Sequence, residues 1–580
     1  MKKLNFRKFY PFLKPYNKLS LLSMVLLIST LFFDLTIPRL IQETVDRGIA
    51  SQSIETVFRY TLLMIIFTII SALLNIGNTF LSVRVSQRFS ADLREGIFSK
   101  IQGFTFKNYD GFQKGQLITR MTSDVNQLQF LLMMSLRILT RAPLLMVGSV
   151  IFLWVTSPDL ATIMLGLLPI TAVVMYLFIR SAGPLFNKVQ QKLDGLNQIL
   201  QENLSGMRLV KAFVRMEYES ERFNKINVEL TNNSVSVQRI LSLIFPTMIL
   251  VINLGTVAVL WYGGIAVIEG NHTVGEILAF INYLLTALFP LVLLAIFSGP
   301  VSAGLTSAKR IEEVLDIEPE ITSVEDKQVE KISGKVEFRN VCFSYYEDCL
   351  DPTLFNINFK VEPGEKVAIL GATGSGKTTL VQLIPRFYDV TRGAVLVDDV
   401  DVKEHNLESL RKNVVIAFQE SMLFTGTIRD NIKFGTSATD EEVERVAKAA
   451  QAHEFIKRLP EGYDTYVGQR GANLSGGQKQ RLNIARALIT KPSIIVLDDS
   501  TSSVDVETET IIQDALNELL SDKTCFTIAQ RISTVLNADK IIVLDKGKIE
   551  AVGSHEELLS SSQIYREIYE SQLGEGVKII

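Results

Sequence analysis

The sequence predicts a multi-domain membrane protein, in which an all-α domain of six transmembrane helices precedes an α/β domain. Long apolar runs are confined to the first half of the 580 residues, and the second half has the composition of an ordinary soluble domain. In that second half, short β-rich runs alternate with helical patterns, and one run leads into a glycine-rich loop. We place the transmembrane domain at 1–317, an acidic linker without apolar periodicity at 318–333, and the α/β domain at 334–580.

The first half contains six apolar runs that are long enough to cross a membrane, which requires about 20 residues per helix. They lie at about 19–40, 60–83, 138–156, 160–180, 240–268 and 276–299. The basic N-terminus before the first run resembles a signal peptide, but that run contains Asp34 and ends at Pro38-Arg39 without a small-x-small cleavage site. We therefore interpret it as a retained first span.

The basic residues predict an inside N-terminus. The inside segments 1–18, 84–130 and 181–239 then hold 6, 7 and 8 Lys and Arg residues, whereas the outside loops hold two. The two long inside segments carry apolar residues at helical spacing, so we expect the spans to continue as helices far into the cytoplasm. Their turns, near 108–116 and 211–217, would then reach the soluble domain; free surface loops are the alternative.

Asp34 is the clearest charge inside a predicted span. Charges at membrane depth are costly and usually face a bundle interior or a cavity. The sequence leaves three interpretations open for Asp34: a place on a substrate path, a role in packing, or a position near the membrane interface.

Charge and cysteine usage exclude several classes of function. The net charge of −3 and the lack of a dense Lys/Arg block argue against a nucleic-acid partner. The three cysteines match no zinc or disulfide spacing, which predicts reduced cytosolic thiols.

The strongest local motif is KVAILG-ATGSGKTTL, where a strand pattern leads through a G-x-x-x-x-G-K-T loop into a helix. Backbone N–H groups of such a loop bind phosphate oxygens, Lys377 adds positive charge, and the Thr378 hydroxyl is a ligand for Mg²⁺. The loop residues predicted to bind the nucleotide are Gly371, Thr373, Gly374, Ser375, Gly376, Lys377, Thr378 and Thr379.

A second strand, SIIVLDD, ends in Asp498 and Asp499. A carboxylate at this position organises Mg²⁺, directly or through water, and the next residue is placed to orient or deprotonate the attacking water. Between the two motifs lies LSGGQ, a turn of small residues that opens a helix and could bind an anion.

Together these motifs resemble those of ABC transporters of the exporter type, and the resemblance covers essentially the whole chain. It implies ATP and Mg²⁺ as cofactors and ATP hydrolysis coupled to transport. It implies that Tyr345 stacks on adenine and that Gln419 contacts Mg²⁺ or water, as Thr378 and Asp498 do. It also implies that Ser503-Val504-Asp505 is the D-loop and that the turns near 108–116 and 211–217 are coupling helices.

The resemblance further implies a dimer, because each ATP lies on the P-loop of one chain and under the LSGGQ of the other. The residues that would act in this way on a partner's ATP are Ser475, Gly476, Gly477 and Gln478.

The chain departs from the family at two catalytic positions. Asp499 stands where the family usually has the catalytic Glu, and its carboxylate is shorter by one methylene; a misplacement of about 1 Å can cost on the order of 100-fold in rate. Gln530 stands at the switch position, usually His, and an amide cannot become a cation. A milder departure is Gln469, where related exporters often carry Glu.

These departures predict a P-loop site that binds ATP and hydrolyses it poorly, beside an intact LSGGQ that completes a competent site on a different partner. The pattern is similar to the degenerate-site half of bacterial heterodimeric multidrug exporters. A homodimer with two slow sites is the alternative.

The expected function is ATP-driven export of a lipophilic or amphiphilic compound across a bacterial inner membrane, with the ATPase domain in the cytoplasm and membrane lipid around the spans. A lipid flippase and an ATP-gated channel or regulator are the alternatives. A soluble ABC ATPase is excluded by the six spans, and importers usually keep the two domains on separate chains.

Overall fold

The computed structural model describes residues 5–322, 332–345, 352–499, 511–512, 514–516, 520, 522–529 and 532–573. The chain divides into two compact units, which we describe separately. The first unit comprises Met1–Gln102 and Gln113–Ile317, and the second comprises Gly103–Phe112 and Glu318–Ile580.

The first unit is entirely helical within its described residues. Its helices are α1 Tyr10–Leu13, α2 Asn17–Glu43, α3 Ile54–Gln102, α5 Lys114–Thr119, α6 Val125–Met134, α7 Thr140–Thr156, α8 Pro158–Ser205, α9 Met207–Ala212, α10 Met216–Ile268 and α11 Val274–Leu315, and α4 Phe106–Asp110 belongs to the second unit. Six continuous helical stretches are long and apolar enough to cross a membrane. The six predicted apolar runs fall one in each stretch, and several stretches reach 40 residues or more, as long extensions require.

Wider π-helical turns interrupt the helices at three places, Thr44–Ile49, Arg120–Asp124 and Ser135–Leu139. The last two lie between α5 and α7, so this stretch is helical throughout but locally unwound. Such turns often occur at functional sites, and the apolar periodicity of the sequence did not predict them.

The core of the first unit forms where α11 packs against its neighbours. Phe280 and Tyr283 on α11 are almost completely buried, and the Tyr283 hydroxyl donates a 2.8 Å hydrogen bond to the carbonyl oxygen of Leu35. A Cβ atom on Gly148 would lie 2.4 Å from the Leu35 side chain, so the absence of a side chain there allows α2 and α7 to approach closely. Leu35 on α2 therefore lies at the point where α2 packs against both α7 and α11.

Asp34 is tied to two other helices beside this contact. Its carboxylate accepts hydrogen bonds from Ser71 on α3, at 2.5 Å, and from Arg141 on α7, at 2.8 Å. The sequence had identified Asp34 but not its partners, and Arg141 lies near the start of the third predicted run.

The second unit is an α/β domain. Its strands are β1 Val336–Phe343, β2 Leu354–Val361, β3 Lys366–Leu370, β4 Arg392–Val397, β5 Val400–Asp401, β6 Val414–Ala417, β7 Gly426–Thr427, β8 Tyr466–Val467, β9 Ile494–Asp498, β10 Thr524–Ile528, β11 Lys540–Asp545 and β12 Lys548–Gly553. Its further helices are α12 Lys377–Gln382, α13 Leu407–Asn413, α14 Ile428–Lys433, α15 Asp440–Ala449, α16 His453–Lys457, α17 Gly476–Ile489, α18 His555–Ser561 and α19 Gln563–Leu573.

The largest sheet has the order β12-β11-β3-β10-β9-β6 and is parallel except for β12. A second, antiparallel sheet has the order β2-β1-β4-β5. The interior strand β9 is buried at every residue, which explains why its sequence is a continuous apolar run rather than an alternating one. Because β3 and β9 run parallel on either side of β10, the loops that follow them emerge at the same edge.

The predicted fold class is confirmed: a helical domain with six long apolar helices is followed by an α/β domain built on a largely parallel sheet. The first turn between long helices, Gly103–Phe112, begins before the predicted 108–116 and overlaps it, and it groups with the α/β unit. The second turn follows α9, at residues 213–215, inside the predicted 211–217.

Candidate functional site

The phosphate-binding loop lies between β3 and α12, at the edge where the parallel strands end. Gly371 has φ +156° and a Cβ atom there would lie 2.1 Å from the carbonyl oxygen of Leu544. Gly374 and Gly376 have φ +83° and +98°, in the left-handed region that favours glycine. The glycines therefore give the loop a tight path that other residues would disturb.

Lys377 is folded over this loop. Its Nζ donates 2.8 Å hydrogen bonds to the carbonyl oxygens of Gly371 and Ala372. Partial burial lowers the pKa of Lys377 from its ordinary value, while Asp498 and Asp499 oppose that shift. The ammonium group is thus held at the mouth of the loop, where the outer phosphates of a nucleotide would lie.

Asp498, the last residue of β9, faces the same place. Its carboxylate accepts a 3.2 Å hydrogen bond from the hydroxyl of Thr378, and burial raises its pKa. A buried carboxylate beside a hydroxyl matches the hard oxygen ligands of Mg²⁺. Within the described residues no group of three or more His, Cys, Asp or Glu side chains gathers in a metal-binding arrangement, so the phosphates and water would supply the remaining ligands. A bound Mg²⁺ would neutralise phosphate charge there.

Asp499 is held in place by two contacts. Its backbone N–H donates to the carbonyl oxygen of Ile528 at 3.1 Å, and its carboxylate accepts a 3.1 Å hydrogen bond from the amide of Gln419. The residue is largely buried and has φ +46°, which Asp tolerates better than most side chains. The structure therefore brings Gln419 and Asp499 together, although they lie far apart in sequence.

The signature segment opens α17. The Ser475 hydroxyl accepts a hydrogen bond from the backbone N–H of Gln478 at 3.3 Å, and the Gln478 side chain accepts one from the backbone N–H of Ser475 at 2.9 Å. This reciprocal capping fixes the first turn, while Ser475 and Gly476 remain exposed. Within the described residues, no hydrogen bond joins these four residues to the P-loop of the same chain.

Tyr345 stands beside the P-loop helix. Its hydroxyl is 3.0 Å from that of Thr379, and its ring meets Phe343 and Tyr388 edge to face at 4.9 and 5.3 Å. Burial raises the pKa of Tyr345, although the ring remains 39% exposed. An exposed aromatic face beside a phosphate-binding loop is suited to a planar base.

The turn Gly103–Phe112 lies against the same aromatic group. The Tyr388 hydroxyl donates a 2.6 Å hydrogen bond to the carboxylate of Asp110, and Phe106 stacks on Phe387 at 4.3 Å. A cavity of about 580 Å³ opens here, with Tyr345 and Tyr388 in its wall. Sequence reasoning missed Phe387 and Tyr388, because no local motif marks them.

Of three further predicted positions, the structure describes only Gln469. Asp505 and Gln530 lie outside the described residues. Gln469 begins a short 3₁₀ turn that ends at Gly471, seven residues before the end of LSGGQ.

A glycine-rich loop, a strand-end carboxylate and a capped signature helix, fused to a six-helix apolar unit, define a membrane-bound P-loop ATPase. The chain belongs to the ABC transporters. Residues 20–291 match the family described as "ABC transporter transmembrane region", and residues 354–502 match that described as "ABC transporter".

Known proteins of this family resemble the chain along its length. It is 41% identical over 576 residues to an uncharacterized ABC transporter ATP-binding protein of Bacillus subtilis, YfiB, covering 98% of this chain and 99% of YfiB. It is 37% identical over 494 residues to an ATP-dependent lipid A-core flippase of Syntrophus aciditrophicus, covering 85% and 82% of the two chains. The structure of a bacterial Atm1-family ABC exporter with ATP bound superimposes with a TM-score of 0.82, at 27% identity, over 98% of this chain and 99% of that one.

These likenesses establish an ABC exporter half-transporter with an ATP-binding domain. Its ATPase domain hydrolyses ATP in a cycle coupled to transport, and exporters of this family act as dimers.

Proposed function

We propose that the chain exports lipophilic or amphiphilic compounds as one half of a heterodimer, and that its own P-loop site binds ATP but hydrolyses it slowly. In this proposal its LSGGQ segment completes a competent site on a different partner chain. The observation that carries the proposal is the position of Asp499 at the end of β9.

Asp499 is a poor replacement for a catalytic glutamate for two reasons. Its side chain is one methylene shorter, and its carboxylate is already engaged by the amide of Gln419 at 3.1 Å. A base must come within hydrogen-bonding reach of the attacking water, and a shortfall of about 1 Å can cost on the order of 100-fold in rate. Gln530, at the switch position, adds a second loss because an amide cannot carry a proton as imidazole does.

ATP binding, in contrast, is expected to remain. The residues from Gly371 to Thr379 form a complete P-loop, and Asp498 with the Thr378 hydroxyl offers oxygen ligands for Mg²⁺. The signature helix is also intact and capped, and its first residues are exposed. In this proposal the chain lacks the usual Glu and His at its own P-loop site. It keeps the LSGGQ residues that would contact ATP on the P-loop of the partner.

Exposed apolar residues support a partner for the helical unit. The turn after α9 exposes 68% of Phe213 and 83% of Val214, and Leu209 within α9 is 63% exposed. Apolar side chains at the tip of a polar helical extension commonly mark a surface that binds another polypeptide.

A lipid flippase is the second candidate, because curated relatives carry that name. The flippases of Syntrophus aciditrophicus and Desulfotalea psychrophila are 37% and 38% identical to the chain. An ATP-gated channel or regulator is a third candidate, which substrate accumulation against a gradient in sealed vesicles would eliminate.

The proposal places the chain in a bacterial inner membrane with its N-terminus and ATPase domain in the cytoplasm. The excess of Lys and Arg in the predicted inside segments supports that orientation. The proposal keeps the transmembrane domain at 1–317, the linker at 318–333 and the ATPase domain at 334–580. Residues 103–112 are then the part of the transmembrane domain that groups with the ATPase unit. Bilayer lipid and a small lipophilic substrate are the expected partners, and nucleic acid is not.

The decisive experiment compares ATP turnover of the chain alone in lipid with that of the variant Asp499→Glu/Gln530→His. A nearly inactive natural chain and a variant that gains about tenfold or more would show that its own residues limit hydrolysis. If both remain inactive until a second half-transporter is present, the heterodimer is supported. Brisk turnover by the natural chain alone would refute the impaired site.

A further inference from the structure

The ion pair between Asp34 and Arg141 lies inside the apolar helical unit and joins three helices. One carboxylate oxygen of Asp34 accepts a hydrogen bond from Ser71 on α3, at 2.5 Å. The other accepts a 2.8 Å charged hydrogen bond from the Arg141 guanidinium on α7. Both charges occur within apolar runs where charge is otherwise scarce.

The depth of the pair follows from its neighbour Leu35. The Leu35 carbonyl accepts the hydroxyl of Tyr283 on α11, and the Leu35 side chain fills the space left by Gly148 on α7. The pair is therefore level with the packed interior of the helices. Charged side chains at such a depth face a bundle interior or a water-filled path rather than lipid.

The ion pair between Asp34 and Arg141 is nevertheless partly accessible, and not all of its hydrogen-bonding groups are used. The side chains of Arg141 and Asp34 remain 35% and 23% exposed. A guanidinium has five N–H donors, and the Nε of Arg141 is buried without a hydrogen-bond partner among the described residues. Arg141 thus keeps hydrogen-bonding capacity for a further acceptor, and about a third of its side chain is accessible in this chain.

The local charge favours an anion. Arg137 lies one turn before Arg141, is half-buried, and sits in the π-helical turn Ser135–Leu139. Two arginines and one aspartate leave a net charge of +1. Arginine binds carboxylate and phosphate groups through paired N–H donors, which makes this cluster suited to an anionic headgroup.

We propose that Arg141 binds the anionic headgroup, phosphate or carboxylate, of an exported amphiphile, and that Asp34 is an internal counter-ion that competes with it. The headgroup takes the place of the Asp34 carboxylate on Arg141, while the bond from Ser71 keeps Asp34 close. When Asp34 binds Arg141 again, the headgroup is released. This inference rests on the proposed export of amphiphiles and identifies the substrate class within it.

Competition gives the two substitutions opposite effects. Asp34→Asn removes the competing charge, so an anionic amphiphile should bind several-fold more tightly and leave more slowly. Arg141→Gln removes the guanidinium that binds the headgroup. The affinity for an anionic amphiphile should therefore fall about tenfold, the effect of losing roughly one charged hydrogen bond. If the pair only joins helices, both substitutions break the same bond and have similar effects.

The test uses the full chain in phosphatidylcholine nanodiscs, together with its partner half where turnover requires one. The probes share one alkyl chain: dodecyl phosphate, dodecylphosphocholine and dodecyltrimethylammonium. Binding is followed by the fluorescence of Trp154 and Trp261, both in the helical unit, and by stimulation of ATP turnover. We expect the natural chain to prefer dodecyl phosphate about tenfold, Arg141→Lys to keep part of that preference, and Arg141→Gln to lose it.

Arg180→Gln is the matched control, because it removes the same charge from an exposed position on α8 and should leave the preference unchanged. Equal binding of the three probes, or changes of the same sign for Asp34→Asn and Arg141→Gln, would overturn the inference while leaving amphiphile export intact. If none of the probes binds or stimulates turnover, the proposed export fails as well. Competition by phosphatidylglycerol added to the nanodiscs would support the bilayer as the source of the headgroup, and its absence would support a free amphiphile.

Discussion

The hydroxyl of Tyr388 donates a 2.6 Å hydrogen bond to the carboxylate of Asp110, which lies in the turn between α3 and α5. On its other side, the Tyr388 ring meets that of Tyr345 edge to face at 5.3 Å. Tyr345 in turn reaches Thr379 of the P-loop helix. A continuous set of contacts therefore runs from the nucleotide loop to a turn that continues into two long helices.

Tyr388→Phe is predicted to weaken coupling more than ATP binding. The ring and its packing remain, but the bond to Asp110 is lost, at a cost of about 1 kcal/mol because the carboxylate is exposed. We expect transport per ATP hydrolysed to fall about fivefold in proteoliposomes, with ATP affinity nearly unchanged.

Tyr463→Phe is the matched control for that measurement. It removes another tyrosine hydroxyl of the α/β unit, one that is partly buried and hydrogen-bonded to His453 at 2.7 Å. An equal loss of coupling in both variants would assign the effect to general destabilisation rather than to the Asp110 contact.

Gly371→Ala and Gly374→Ala are predicted to differ strongly, although both lie in the P-loop. A Cβ atom at Gly371 would meet the Leu544 carbonyl oxygen at 2.1 Å, whereas nothing lies within 4 Å of one at Gly374. The second change costs only the left-handed backbone, about 1 kcal/mol, and the first about 4 kcal/mol or more. Thermal unfolding of the two purified variants measures the difference, and equal midpoints would contradict the tight turn at Gly371.

The sequence predicted what depends on local pattern. Apolar runs located the six long helices, and the P-loop glycines and the capped Ser475 helix follow from short motifs with a direct backbone explanation. It did not predict the contacts between distant residues. Tyr388 and Asp110 are 278 positions apart, and Arg141 and Asp34 are 107 apart, so each pair depends on how the chain folds rather than on spacing. The hydrogen bond from Gln419 to Asp499 is a third such contact. The sequence identified both residues as site residues, but it did not predict the bond between them.

The buried thiol of Cys525 is predicted to make the α/β unit sensitive to alkali. Burial raises its pKa from 9.0 to about 11, so the folded unit keeps a proton that the unfolded chain releases. Stability is therefore full below about pH 9 and falls as the pH rises toward 11, by up to about 3 kcal/mol. Cys525→Ala should reduce this slope, most clearly between about pH 8.5 and 9.5, because the buried tyrosines contribute more only as the pH nears their ordinary pKa of about 10.

Cys342→Ala provides the comparison, because it removes a thiol that is only partly buried. Thermal midpoints recorded at closely spaced pH values would measure both variants. A slope that is unchanged in Cys525→Ala would show that other groups are responsible.

Ser475→Ala and Lys377→Ala in this chain are predicted to have unequal effects on the dimer. In the proposed arrangement Ser475 serves the competent site on the partner, whereas Lys377 serves the impaired site of its own chain. Ser475→Ala should therefore abolish most ATP turnover, at a cost to the α17 cap of only about 1 kcal/mol. Lys377→Ala should leave a large part of the turnover, because little hydrolysis occurs at that site.

In a homodimer each substitution would affect both sites, so two equally inactive variants would refute the asymmetry. The same substitutions made in the partner should reverse the order, since its P-loop lysine would serve the competent site and its signature serine the impaired one.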